Sequence, residues 1–161
     1  MVKIKFNQLG FVIIPLYVKR KDKLFMSSVD YKVDTGANCT TICKDWLVEL
    51  GYDENWIKTG RLLVGVNRPT VASGLPIEDC YEVVLPEIHI GGWVGYNWPV
   101  ITSLSVQFKF LLGTDSMQFF NWYFNYENDV CLFDLISGKR KLLFNQQIQT
   151  IQPYDEVKNE T

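Results

Sequence analysis

Among the residues of this chain that could do chemistry, Asp34, Thr35 and Gly36 stand out. They close the apolar run Tyr31-Lys32-Val33 and lead into Ala37-Asn38-Cys39-Thr40-Thr41-Ile42. A carboxylate at a strand end, held by rigid neighbours, suits proton transfer better than it suits packing. Gly36 lets the backbone turn sharply or pass close to another group. Thr35 offers a hydroxyl that can lock the turn from inside. Taken alone, Asp-Thr-Gly is also ordinary turn composition, with the aspartate accepting a local backbone bond.

A second stretch changes that reading. Leu111-Leu112-Gly113-Thr114-Asp115-Ser116-Met117 again runs from apolar residues through a glycine to a polar helix start. An Asp-Thr-Gly-Ala turn, a hairpin region, an apolar-apolar-Gly strand and then a helix, in that order, resemble the retropepsin-like aspartic proteases. These are single-domain, homodimeric enzymes, and the resemblance covers roughly residues 11–135. It implies a mostly-β, closed acid-protease-like barrel with a flap hairpin and one short helix after the second motif. The domain would span 1–152, with 153–161 a polar tail.

The resemblance also implies a mechanism. Two facing carboxyls, one protonated and one ionised, hydrolyse a peptide bond through a water held between them. Like charges so close cannot both ionise cheaply, so the pair shares one proton. One chain holds one Asp-Thr-Gly, so the second carboxyl would be Asp34 of another copy. Asp115 comes too late in its motif and reads as a helix cap. Thr35 would hydrogen-bond across the two-fold axis, and Gly36 would donate its N–H to the carboxylate. Ala37 and Asn38 would line the groove floor. Gly65, Val66, Asn67 and Arg68 would touch substrate from the flap. No metal or cofactor is called for, and the partners would be a polypeptide substrate and a second copy. Retroviral members often pair an arginine after the second glycine with an aspartate just beyond their Asp-Thr-Gly-Ala. Thr114 and Asn38 stand there instead, so apolar burial by terminal strands, with 12–16 and 141–151 as candidates, would hold the dimer.

Composition limits the alternatives. The 161 residues suit one domain, and 47% hydrophobic content with 14% aromatic is ample for a core. A net charge of −2 gives no basic face for nucleic acid. No apolar run is long enough for a membrane span, and Met1-Val2-Lys3-Ile4-Lys5-Phe6 lacks the pattern of a secretory signal. A cytoplasmic protein is therefore expected, with Cys39, Cys43, Cys80 and Cys131 as thiols. Cys39 and Cys43 have no second close pair, and the lone His89 lies in an apolar run, so a zinc site is not expected.

Three other readings compete: a retropepsin-like dimerisation or peptide-binding module without catalysis, a phosphate-binding Asp-Thr-Gly loop of the actin-like kinase type, and a β-domain of other purpose. The intact Asp-Thr-Gly-Ala argues against the first, because a scaffold needs no ionisable group there. The kinase type needs two lobes and a longer chain.

The remaining elements position these residues. Residues 11–18 and 24–33 form a hairpin around the charged turn Lys19-Arg20-Lys21-Asp22-Lys23, which delivers Asp34. A short helix is expected over 44–50, and a loop over 53–58. Strands 61–66 and 70–77 would flank a flap tip at Asn67-Arg68-Pro69. The run 80–90 contains Pro86, which implies a bend or a sheet edge. Gly91-Gly92 is a turn before the strand 93–101. Residues 105–112 lead to the second motif. Thr114 or Asp115 would then cap a helix through Ser116, Met117, Phe119, Phe120 and Trp122. Strands at 130–135, 141–144 and 146–151 close the pattern.

Overall fold

The computed structural model describes residues 1–136, 140–142 and 148–154. The expected turn at Ser137-Gly138-Lys139, much of the expected strands 141–144 and 146–151, and the tail beyond 154 lie outside the described residues.

The hairpin that delivers Asp34 is present. Strands β1 (Val2–Lys5), β2 (Ile13–Lys19) and β3 (Met26–Val33) open the chain, and β2 pairs with β3 from Ile13↔Lys32 to Lys19↔Met26. Along β2, Ile14, Leu16 and Val18 are buried while Pro15 and Tyr17 are exposed. A slip of one residue would turn Leu16 and Val18 to water, at a cost of roughly 1.5–3 kcal/mol each. That alternation fixes the register, and the register fixes where Asp34 emerges.

Helices α1 (Lys44–Glu49) and α2 (Glu54–Lys58) follow, then β4 (Arg61–Leu62). The loop expected over 53–58 is a helix because Asp53 caps it, its side chain accepting from the Trp56 N–H. The long strands β5 (Cys80–Ile90) and β6 (Trp93–Ser103) pair along their length through a turn at Gly91-Gly92. Pro86 sits in the interior of β5, where the ladder to β6 passes from Leu85↔Trp98 to Glu87↔Tyr96 and skips the Pro86 position. The stretch that pairs with β4 ends at Glu82 and the stretch that pairs with β2 begins at Ile88, so no strand needs the N–H that proline lacks.

Only Leu111–Leu112, β7, is strand within the expected 105–112 run. Helix α3 is confined to Thr114–Met117, with Gly113 rather than Thr114 or Asp115 at the cap position. Phe120, Trp122 and Phe124 alternate with polar or exposed residues, a period of two that wins over helical spacing. They build β8 (Phe120–Asn125), which pairs with β9 (Val130–Leu135). Strands β10 (Arg140–Leu142) and β11 (Ile148–Pro153) complete the described chain.

Two sheets result. One runs β10-β11-β6-β5-β2-β3-β7, with β4 on β5; the other is β1-β9-β8. The architecture is mostly β, a curled half-barrel consistent with the acid-protease-like fold expected. Trp98, Tyr31, Phe119, Leu16 and Ile42 fill its core. Trp93, Phe120 and Phe133 pack ring on ring where the smaller sheet meets it, at centroid distances of 5.1–5.5 Å.

Candidate active site

Asp34 begins where β3 ends, and β7 holds it from beneath. The pairing is parallel, Lys32↔Leu111 and Val33↔Leu112, and the Asp34 N–H donates to the Leu112 carbonyl at 3.0 Å. The turn is then closed from within. The Gly36 N–H donates to Asp34 Oδ1 at 2.9 Å, and the Ala37 N–H to the Asp34 carbonyl at 3.2 Å. The carboxylate thus receives the backbone bond expected of Gly36. Asp34 and Ala37 are half-buried, whereas Thr35, Gly36 and Asn38 are exposed. The Thr35 hydroxyl has no partner among the described residues.

The loop after the turn is locked by Gly113, which the second motif was expected to supply as support from below, and by polar groups that sequence reading did not assign. Gly113 lies against the Cys39 backbone, and the Thr114 N–H donates to the Ala37 carbonyl at 2.8 Å. A polar chain runs beside this crossing. Trp98 Nε1–H donates to Ser116 Oγ at 2.9 Å, and Ser116 Oγ lies 2.6 Å from Thr40 Oγ1. The Thr40 hydroxyl donates to Asp115 Oδ1 at 2.8 Å, so its one hydrogen is committed and Ser116 is the donor to it. Asp115 also accepts the Thr40 N–H at 3.1 Å and the Ser116 N–H at 2.7 Å. Thr40 and Ser116 are buried. Asp115 therefore does not cap α3 as expected; it terminates a donor chain that ties the aspartate loop to α3. The traceable signal was the second hydroxyl-rich pair, Thr40-Thr41, directly after the motif. Thr41 plays a parallel part, donating to the Lys109 carbonyl at 2.6 Å while accepting from the Leu111 N–H.

The charge of Asp115 is felt nearby. Burial, and then Asp115, push the Tyr31 hydroxyl far above its ordinary range. Burial, then Asp115, Cys80 and Glu82, push the Cys39 thiol up to about 11.

The expected flap residues lie on an excursion between β4 and β5, but its tip is not where the sequence suggested. Gly65–Asn67 form a 3-10 turn, and Arg68 is held by Glu78 at 2.6 Å. The reversal comes later. Thr70 bridges Pro76, the Val71 N–H donates to the Leu75 carbonyl, and Gly74 adopts φ +86°. The left-handed turn at Gly74 outcompetes Asn67-Arg68-Pro69, because only glycine adopts that φ without strain. Val64, Val66 and Leu75 are exposed along this arm, Val66 completely. A cavity of about 490 Å³ lies elsewhere, between α1 and α2, lined mostly by charged groups such as Lys44, Asp45, Asp53 and Glu54. No described helix is long and apolar enough to cross a membrane.

No protein-family model and no curated protein matches the chain. Among solved structures, the chain is similar to a retropepsin-like aspartic protease from Rickettsia conorii. The match has a TM-score of 0.57 at 20% sequence identity and covers 82% of this chain and 88% of that one. At that identity the likeness is one of fold.

Proposed function

We propose that this chain is an aspartic-type endopeptidase, acting as a homodimer in which two copies of Asp34 hold the attacking water. The observation that carries the reading is the Asp34 turn itself. Its carboxylate sits at a strand end, fixed by the Gly36 N–H and by β7, inside a fold shared with a retropepsin-like protease. The exposure of Thr35 and Gly36 supports a site completed by a second chain, since a hydroxyl placed to bond across a two-fold axis would look unpartnered in one copy.

The chemistry requires the pair to carry one proton. The ionised Asp34 takes a proton from the water as its oxygen attacks the scissile carbonyl carbon. The protonated Asp34 donates to the carbonyl oxygen, giving a neutral gem-diol. Protonation of the amine nitrogen and collapse of the diol then release the two peptides and restore the shared proton. Ala37 and Asn38 stand beside the carboxylate as floor. The arm bearing Gly65, Val66, Asn67 and Arg68 supplies apolar and hydrogen-bonding contacts above it. No metal or cofactor enters this mechanism. All four cysteines are free thiols, which suits a cytoplasmic setting.

The test is incubation of the protein and of Asp34→Asn with a mixed peptide library, read by mass spectrometry. Asparagine keeps the acceptor for the Gly36 N–H but cannot take the water's proton. Cleavage by the parent and less than a few per cent residual activity in a folded Asp34→Asn variant are expected. Cleavage that survives the substitution overturns the assignment.

A further inference from the structure

The hairpin that delivers Asp34 at one end carries an unusual tip at the other. β2 and β3 pair from Ile13↔Lys32, next to Asp34, to Lys19↔Met26. The six residue steps from Ile13 to Lys19 make about 20 Å of strand. Beyond the last pair the chain runs Arg20-Lys21-Asp22-Lys23-Leu24-Phe25. With Lys19, this stretch holds four cations against the single carboxylate of Asp22, on a chain whose net charge is −2. At its point two apolar side chains stand in water, Leu24 96% exposed and Phe25 55%. The cations gather round them. Arg20 Cζ lies 5.5 Å and Lys23 Nζ 5.4 Å from the centre of the Phe25 ring. A single exposed apolar residue needs no explanation, and Leu9, among Asn7, Gln8 and Gly10, is one. Two adjacent ones beside ammonium and guanidinium groups are a different feature.

The tip is fixed, not loose. The Arg20 N–H donates to the Phe25 carbonyl at 3.4 Å, and the Lys21 N–H donates to the Leu50 carbonyl, just past α1, at 3.0 Å. The Arg20 guanidinium donates to the Glu49 carbonyl at 2.7 Å and to Ser27 Oγ at 3.3 Å. Asp22 leans back toward the end of α1, where a Cβ on Gly51 would lie 3.3 Å from its Oδ1. The carboxylate of the tip is thus drawn aside, toward the exposed Glu49, and Leu24 projects from a rigid base. Arg20 also lines a cavity of about 310 Å³, together with Lys19, Lys21, Tyr52, Trp56 and Pro86 among others. Cations and aromatic rings around one hollow suit an anionic group attached to an apolar body.

We infer that this tip docks the chain on an anionic bilayer surface. Leu24 and Phe25 enter the acyl boundary, and Lys19, Arg20, Lys21 and Lys23 stay among the phosphate and carboxylate head groups. The inference goes beyond the proposed activity and does not depend on it. The occupant is a lipid surface because its layers match those of the tip, with the apolar point foremost and the cations behind. The long lysine stems reach back to the head groups while the loop dips below them. A short apolar insertion alone holds a bilayer only marginally, and basic residues add to it where the surface is negative. The Asp34 turn lies at the other end of the hairpin, so docking leaves it free.

Co-sedimentation of the full chain with vesicles tests the docking. Vesicles of equal parts phosphatidylserine and phosphatidylcholine should retain the protein, and vesicles of phosphatidylcholine alone should retain it about tenfold less or weaker. Leu24→Ser/Phe25→Ser and Lys21→Glu/Lys23→Glu should each lower the partition coefficient about tenfold or more. These side chains are exposed, so the thermal midpoint should stay at that of the parent. Leu24→Trp gives a signal that misfolding cannot imitate by loss. On the mixed vesicles its emission should be quenched by lipid brominated in the acyl chains, well beyond any quenching of the parent. No retention on either vesicle, equal retention on both, or a double serine variant that binds like the parent each overturns the inference. Leu24→Trp emission that the brominated lipid leaves unchanged overturns it too. So does complete displacement by soluble glycerophosphoserine, because the cavity would then be reading a head group and not a surface.

Discussion

Gly113 and Cys39 cross backbone to backbone. A Cβ placed on Gly113 would lie 2.8 Å from the Cys39 nitrogen, 2.5 Å from its carbonyl carbon, and closer still to its carbonyl oxygen. The crossing lets β7 run beneath the Asp34 turn, with one strand end supporting the other.

Gly113→Ala should therefore be costly, because the obstacle is main chain rather than a side-chain end that can swing away. We expect a loss of about 2–3 kcal/mol in urea unfolding, as for an overpacked core. Gly92→Ala is the control. Nothing lies within 4 Å of its added carbon, and its stability should stay within about 0.5 kcal/mol of the parent. Equal stabilities for the two variants would mean that the crossing relaxes freely.

Thr40→Val probes the donor chain that runs from Trp98 through Ser116 and Thr40 to Asp115. Valine keeps the volume but removes an acceptor for Ser116 and for the Gly113 N–H, and a donor to Asp115. Buried partners left unsatisfied cost about 1–3 kcal/mol. The thermal midpoint should fall accordingly. Asp115→Asn should fall as well, since an amide offers one acceptor oxygen where Asp115 uses both. An Asp115→Asn variant with parental stability would remove Asp115 from this structural role.

The comparison of sequence with structure divides by range. The Asp34 turn, its hairpin and the Leu111-Leu112-Gly113 support were legible because each is a local pattern of apolar residues ending at a glycine. The part played by Asp115 was not. Its partner Thr40, and the Trp98 that donates to the neighbouring Ser116, lie elsewhere along the chain, and only the fold brings them together. The reversal of the arm between β4 and β5 was misplaced because two turn signals compete in it, and Gly74 prevails over Asn67-Arg68-Pro69 through its left-handed backbone. α2 was missed although Asp53 announces it, because a five-residue helix shows too little periodicity to be seen. The aromatic run after α3 was read with helical spacing, while its period of two makes it β8.

The Cys39 thiol gives a pH signature. Its value is pushed from 9.0 to about 11 in the folded chain, chiefly by burial and then by Asp115. A group whose value rises on folding contributes stability that is fully present below its unfolded value and is lost as the pH climbs through the folded one. The stability difference between the parent and Cys39→Ala should thus be constant below pH 9 and shrink between pH 9 and about 11. Groups that titrate in both proteins cancel in that difference. Alkylation of Cys39 by iodoacetamide should also lag behind a free thiol at pH 8. Prompt alkylation of Cys39 itself in the folded chain at that pH, located by peptide mapping, would contradict the burial that raises the value.

Val66 offers the sharpest test of the arm between β4 and β5. It is wholly exposed, with Val64 and Leu75 also largely in water on the same excursion. A valine that packs against nothing in its own chain contributes little to folding, so Val66→Asp should leave the unfolding free energy within about 0.5 kcal/mol of the parent. If the arm closes over a bound peptide, the same side chain passes from water to an apolar contact. A new carboxylate there would then have to be desolvated, or would hold the arm open. The KM for a peptide with apolar residues beside the scissile bond should rise several-fold, because a contact made throughout binding acts on KM, with kcat little changed. A peptide with a basic residue at the contacted position should suffer less, as the aspartate gains a partner. Unchanged KM for both peptides would show that Val66 stays in water during the reaction, and the arm would not be the flap of this site.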